Sequence, residues 1–371
     1  MSSRAYLDHA SSSPLRPAAL EAMTRVLHDA YGDAGRLHDE GRVSRVALEE
    51  AREQVAAFVD ARPREVVFCS SGTEAVNAAH WWLPAGAHAV TTAVEHSAVR
   101  DALERAHADV TVVGVDRDGR VDADAVIGAV RDDTVLVSVQ LANHEVPTRQ
   151  PVERIAAALR DHQARVHVDA CAAAGHTPVS FRRLDVDACS ITAHKLGGPA
   201  GAAALLVRRG VRLAPFVVGG AQERARRGGF ENVAACVGFG AACGAVDVEA
   251  EATASRALAD RIRAIASTVE EVAELGDGSL DGGLPHLVCL TVAGVEAEQI
   301  LLALNQRGVA VHSGSACASE TWEPSPVLVA MGVDAQHSLR VSVGWSSTGA
   351  DVDRFAEAFP DVVARLRDLR A

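Results

Sequence analysis

The chain has 371 residues, of which 36 are basic and 49 acidic, for a net charge of −13, and 48% are hydrophobic. So acidic a balance argues against nucleic acid or an anionic membrane as the main partner, and no apolar run approaches the ~18 residues of a transmembrane helix. Residues 1–8 lack a secretory apolar stretch, and seven cysteines without a CxxC or Cys/His cluster fit reduced thiols, so a cytoplasmic location is expected.

In chain order, helical patterns at residues 17–29 and 44–60 precede an apolar strand, Val66-Val67-Phe68-Cys69. Ser70-Ser71-Gly72-Thr73-Glu74 follows it and opens a helical run. Small residues at a strand-to-helix turn let backbone N–H groups, hydroxyls and a helix dipole converge on a phosphate, although Ser and Thr there are first of all N-caps. A strand at 89–92 leads to His96 at the start of a helical stretch, residues 97–108. By default His96 is a polar turn residue; at the C-terminal edge of a sheet it lies over an aromatic cofactor and relays protons.

Further strands are expected at 110–115, 135–141, 166–170, 189–192 and 202–207, with a helix at 152–163. Strands alternating with helices, apolar on both faces, predict a mostly parallel central sheet covered by helices. Asp169 closes Val166-His167-Val168-Asp169, and a carboxylate at the end of a buried strand calls for a cation. Past the strand at 189–192 comes Thr192-Ala193-His194-Lys195-Leu196-Gly197-Gly198-Pro199. Lys195 is the only lysine; the other 35 basic residues are arginine. Arginine replaces lysine on a solvated surface but supplies no nucleophilic amine, because guanidinium stays protonated. A Schiff-base lysine with a carboxylate for a pyridinium nitrogen is the recurring protein contribution to pyridoxal phosphate chemistry. A structural Asp–Lys ion pair is the plainer alternative.

Alanine-rich residues 231–273 read as helical connection, and apolar runs at 287–292, 309–311 and 339–343 suggest a smaller α+β unit. The domains expected are 15–250, a large cofactor-binding domain, and 1–14 with 251–371, a small one. Cys317, in Ser313-Gly314-Ser315-Ala316-Cys317-Ala318-Ser319, is a candidate nucleophile in a small, polar loop, and Arg340 offers a bidentate fork to a carboxylate or pairs with a core acid.

Together these segments resemble the cysteine desulfurases, the NifS/IscS-like group of class V aminotransferases with fold type I. The resemblance rests most on Ala193-His194-Lys195 with Gly198-Pro199, His167-Val168-Asp169-Ala170, Ala142-Asn143-His144-Glu145, and Ser313 to Cys317. It implies pyridoxal 5'-phosphate on Lys195, Asp169 at the pyridinium, His96 on the ring and Asn143 near the phenolic oxygen and substrate. It implies Gly72, Thr73, Thr192 and His194 in the cofactor site, Arg340 at the substrate carboxylate, and Cys317 taking sulfur from L-cysteine as a persulfide. The loop around Cys317 resembles the longer-loop branch. A homodimer and a sulfur-acceptor protein are expected partners. The alternatives are a cysteine or cystine C–S lyase, a selenocysteine lyase, or a non-catalytic relative kept as a binding partner.

The sequence departs from that pattern at four places. Ala172 replaces a glutamine, Arg227-Gly228-Gly229-Phe230 replaces a motif whose threonine reaches the neighbouring subunit's phosphate, Pro147 stands for a glycine, and Ser11-Ser12-Ser13-Pro14 replaces Ala-Thr-Thr-Pro. A phenyl group donates nothing to phosphate. With the core residues retained, these changes point to a desulfurase feeding a dedicated pathway.

Overall fold

The computed structural model describes residues 4–313 and 324–369; Cys317 lies outside the described residues. The strands are β1 (Ala5–Tyr6), β2 (Val66–Cys69), β3 (His88–Thr92), β4 (Asp109–Val113), β5 (Thr134–Gln140), β6 (Arg165–Asp169), β7 (Ala188–Thr192), β8 (Ala203–Val207), β9 (Val272–Leu275), β10 (Leu287–Val292), β11 (Val309–Ala310), β12 (His312–Ser313) and β13 (Ser338–Ser342). Seven form one sheet in the order β2-β8-β7-β6-β5-β3-β4. From β7 to β4 all neighbours are parallel; β8 runs antiparallel to both β7 and β2. A mostly parallel sheet with helical crossovers is the expected fold type I core.

Parallel strands joined by helices place their C-terminal ends along one edge, where crevices form. The helix Gly72–His80 follows β2, and Ser97–Arg105 follows β3, both starting at that edge.

In its strands the sheet differs from the expectation of two apolar faces. Val137, Val139, Val166, Val168, Cys189 and Ile191 belong to the main buried apolar core. The alternate residues of β5, β6 and β7, however, are Ser138 and Gln140, His167 and Asp169, Ser190 and Thr192, and all are buried. Short polar side chains read as apolar strand by their neighbours, and only pairing reveals that they share a face. Ser138 stands beside His167, and Gln140, Asp169 and Ser190 lie in register.

The second unit is a four-stranded antiparallel sheet, β12-β13-β10-β9. Its core joins Ile262, Leu290, Ile300, Val341, Phe355 and Phe359 with Ala5 and Leu7 from the start of the chain. β1 pairs in parallel with β11, bringing residues 5–13 across to the edge of the main sheet. The helices Val233–Ala245 and Val248–Ala266 occupy the alanine-rich stretch. Among the described residues no single helix is long and apolar enough to cross a membrane.

Candidate active site

At the C-terminal edge of β5, β6 and β7 a cavity of about 290 Å³ is lined by Ser71, Gly72, Thr73, His96, Gln140, His144, Asp169, Cys171, Ala172, Thr192, His194, Lys195 and Arg340, with Ala10 and Ser11 from the first segment. Candidates from Gly72 to Arg340 thus meet in one place. Asn143 is not among its lining residues.

One end of the cavity is the start of the helix Gly72–His80. Ser71 is the N-cap, its hydroxyl accepting from the Glu74 amide at 3.0 Å. A Cβ at Gly72 would come within 2.9 Å of the Cys171 Sγ, so the absence of a side chain there keeps the floor open. Glu74 is turned away from the cavity: its carboxylate accepts from the Ser70 amide and from Arg227 Nε at 2.9 Å. Burial and these donors leave the net Glu74 pKa below the usual carboxylate value, the donors outweighing desolvation. Thr192 and the His194 Nδ1 share a hydrogen bond of 2.8 Å.

Asp169, at the end of β6, is buried and accepts the Cys171 amide at 2.9 Å through Oδ1. Cys171 follows two residues on, its thiol pushed far up by burial and by Asp169, so it stays protonated.

The backbone of the Lys195 turn is clamped from outside by the first segment. Ser13 donates to the Lys195 carbonyl at 2.9 Å, the Ser13 amide to the His194 carbonyl at 2.8 Å, and Arg16 Nε to the Leu196 carbonyl at 2.8 Å. Gly197 adopts φ +87°, a left-handed conformation that glycine takes without strain, and a Cβ there would strike the Arg16 side chain at 2.6 Å.

His96 caps the helix Ser97–Arg105, its Nδ1 accepting the Ala98 amide at 3.1 Å. Burial holds its pKa down to about 4, with His144 adding to the effect, so at neutral pH the ring is neutral and its proton sits on Nε2. His144 meets it edge to face, ring centroids 5.0 Å apart.

Asn143 instead organises the loop. Its Oδ1 accepts the amides of Glu145 at 2.8 Å and Val146 at 3.0 Å, and its Nδ2 donates to the Val94 carbonyl at 3.0 Å. These bonds turn the next side chain, His144, into the cavity. Pro147 is accommodated in the same tight loop, where the Asn143 amide donates to the Thr148 carbonyl at 2.9 Å. Arg340, almost wholly buried on β13, donates Nη1 to the His144 carbonyl at 2.7 Å and Nη2 to Asp8 at 3.0 Å and Ser11 at 2.5 Å; its buried Nε has no partner among the described residues. It therefore both pairs with an acid and retains one donor.

Phe230 is 65% exposed and follows Gly229 at φ +94°. It is not among the residues lining the cavity of its own chain.

Sequence reasoning passed over His144, Cys171, Gln140 and Ser11. The one available signal for His144 was its place inside the quoted Ala142-Asn143-His144-Glu145 motif.

The model of the aminotransferase class-V family matches residues 5–355. The chain is 41% identical to the IscS-like cysteine desulfurase of Mycobacterium tuberculosis, covering 98% of this chain and 97% of that one. It is 36% identical to the cysteine desulfurase IscS of Methanosarcina thermophila over 98% and 93%. Among solved structures, a NifS-like protein superposes with a TM-score of 0.90 at 28% identity, over 98% of this chain and 100% of that one. SspA in complex with cysteine superposes with a TM-score of 0.80 at 27% identity, over 92% and 99%. This chain belongs to the class-V aminotransferase family. Within it, the chain falls in the cysteine desulfurase branch, as the motifs around Lys195 and Asp169 implied.

Proposed function

We propose that the protein is a pyridoxal phosphate-dependent cysteine desulfurase that converts L-cysteine to L-alanine and passes the sulfur to Cys317 as a persulfide. The observation that carries this reading is the convergence, in one cavity, of the only lysine with a buried carboxylate, a neutral imidazole and a helix N-terminus. The donor set fits the cofactor. Ser71, Gly72, Thr73, Thr192 and His194 suit its phosphate, Asp169 its ring nitrogen, Lys195 its aldehyde, and the open floor at Gly72 leaves room for it. Pyridoxal phosphate, when bound, supplies an electron-withdrawing ring that stabilises negative charge at the substrate Cα.

The chain's own residues do the rest. Asp169 would keep a proton on the ring nitrogen of the bound cofactor, because a buried carboxylate favours a cation beside it. With the cofactor and substrate bound, Lys195 would take the Cα proton, His96 would serve as a neutral Nε2–H donor beside the ring, and Arg340, whose Nε has no partner among the described residues, would meet the substrate carboxylate. Residues 15–250 act as the cofactor-binding domain and residues 1–14 with 251–371 as the smaller one, a division supported by an apolar core drawn only from Ala5, Leu7 and residues 259–363.

A second copy of the chain is the expected partner. A groove of about 870 Å³ between the helices Pro17–Asp29, Asp39–Phe58 and Val233–Ala245 leaves Val43 and Val46 about half exposed, and Leu20, Leu27, Tyr31 and Leu37 are exposed nearby. A cytoplasmic location and a sulfur-acceptor protein in a dedicated pathway complete the reading. Ala172 and Phe230, which put no polar group where the family's pattern has one, support the specialised role.

The test is the absorbance of the purified protein with pyridoxal phosphate, then with L-cysteine. The expected result is a band near ~400–420 nm that shifts on adding cysteine and is missing in Lys195→Ala. Alanine production should then be lost in Cys317→Ala; a Cys317→Ala enzyme with full turnover would instead make it a C–S lyase.

A further inference from the structure

The neutral turnover of L-cysteine to alanine leaves one proton to be accounted for. An acceptor thiolate plus cysteine gives a persulfide anion plus alanine: the substrate C–S bond breaks, an S–S bond forms, and the methyl carbon gains a hydrogen. Counted overall, the proton that began on the substrate sulfur ends on carbon. Lys195 handles the Cα proton, so a second group is needed to take the thiol proton, hold it while the sulfur leaves, and give it back.

The cavity wall carries such a group. The His144 side chain lines the cavity, and its Nε2 lies 3.5 Å from Oε1 of Glu145. The Glu145 carboxyl is almost wholly buried, and its Oε2 accepts the Ser325 hydroxyl. Ser325 in turn accepts the Leu328 amide at the start of the helix Pro326–Ala330, so the carboxyl is fixed from behind. The His96 ring lies against this imidazole at 67°, with the centroids 5.0 Å apart.

We infer that His144 is an acid–base residue of this cavity and Glu145 its proton partner, the pair storing the substrate thiol proton between C–S cleavage and alanine formation. This inference rests on the desulfurase reading above. In the uptake step, the thiol proton passes to one ring nitrogen of His144 while the proton on the other nitrogen passes to the Glu145 carboxylate. The ring ends neutral, and the carboxyl ends protonated. The return step reverses both transfers, with the methyl carbon as acceptor.

The electrostatics suit this relay. Burial pushes Glu145 up to about 7, opposed by the Ser325 hydrogen bond and by the charge of Arg340. Both of its states are therefore populated near neutral pH. Burial, with Lys195, Arg340 and Arg100, holds His144 down to about 3 against the opposite pull of Asp169, so the imidazole passes protons without keeping a charge.

The experiment uses Glu145→Gln, which keeps an acceptor for Ser325, and His144→Phe, which keeps a ring without nitrogen. In the loaded enzyme, both should lower kcat for alanine by about a hundredfold. KM should hold within about threefold, as expected when a transition-state interaction alone is lost. The wild-type inflection of kcat near pH 7 should vanish in both. Independently of the cofactor, 15N-histidine spectra of the full-length protein should show a His144 resonance, identified by its loss in His144→Phe, that shifts with a midpoint near 7 and is flat in Glu145→Gln. Variants that load cofactor yet keep the wild-type kcat and pH profile overturn the inference, as does a His144 resonance indifferent to Glu145. Failure of the desulfurase reading looks different: the cofactor band or alanine is missing in the wild type itself, while the 15N titration still tests the pair.

Discussion

Two polar layers lie one above the other on the same face of the central sheet, and they treat their polar groups in opposite ways. In the lower layer the His80 Nδ1 meets the Val76 carbonyl at 2.7 Å, so that nitrogen must carry the proton. The His80 Nε2 then accepts from Ser138 at 3.1 Å, Ser138 accepts from the His167 Nδ1 at 2.9 Å, and the His167 Nε2 accepts from Ser190 at 2.9 Å. Burial holds His80 down to about 4 and His167 well below its ordinary value, so both rings are neutral. Every ring nitrogen in that chain has one partner of the right kind. At the strand ends, Gln140, Asp169 and Thr192 open on the cavity beside Lys195 and His96. The same strand positions thus give a closed, neutral network two residues before the end and an open, charged one at the end. A polar side chain in a strand becomes a site only where the layer above it is missing.

Acid should affect both layers and has the largest expected effect. His9, His80, His96 and His194 are held down to about 4, His144 and His176 to about 3, and His167 and His286 well below 6.5, all by burial. The unfolded chain binds protons at these histidines below pH 6.5 and the folded chain does not. Stability is therefore present above 6.5 and falls as pH drops towards 4, by about 1.4 kcal/mol per pH unit for each histidine. Glu95, pushed up to about 8 by burial, and Glu145 act oppositely, losing stability as pH rises from about 4.5 through their raised values. Two acids do not offset eight histidines. Circular dichroism against pH should show unfolding before pH 4 is reached; a fold that survives intact at pH 4 would contradict the buried neutral network.

The layers should then separate by mutation. Lys195→Ala in the upper layer should cost about 10²–10⁴-fold in alanine formation. Stability in urea should stay within about 0.5 kcal/mol, as for a change outside the packed core. His167→Ala in the lower layer should do the reverse first. It strands the hydroxyls of Ser138 and Ser190 at about 1–3 kcal/mol each, so the urea midpoint falls sharply. An equal loss of stability in both variants would erase the distinction between the layers. The smallest effect is expected at Ser11, which shares Arg340 with Asp8 and the His144 carbonyl. Ser11→Ala should raise KM for cysteine by about tenfold, the worth of one hydrogen bond to a charged group, with kcat unchanged.

Much of this site can be read along the chain. Strand followed by small residues followed by helix locates Ser71 to Thr73, and a solitary lysine in a glycine-rich turn locates Lys195, because both signals are local. The lower layer is not local: Ser138, His167 and Ser190 are 29 and 23 residues apart, and only strand register brings them together. The exchange of Asn143 for His144 at the cavity wall has a similar cause. An irregular loop has no period from which to read facing, and the three inward hydrogen bonds of Asn143 decide which neighbour points out. The role of Ser11 and Ser13 depends on β1 reaching β11, more than 300 residues away.

That last pairing also sets an order of assembly. The turn that carries Lys195 is held by Ser13 and Arg16, and the segment bearing them is anchored through β1 to β11 and through Asp8 to Arg340. During synthesis the central sheet is complete once residue 207 has emerged, yet its clasp has nothing to fasten to until residues 309–342 follow. The growing chain therefore carries Lys195 on a formed sheet but an unfinished seat for about a third of its synthesis, and the seat becomes whole only when the two ends of the polypeptide meet.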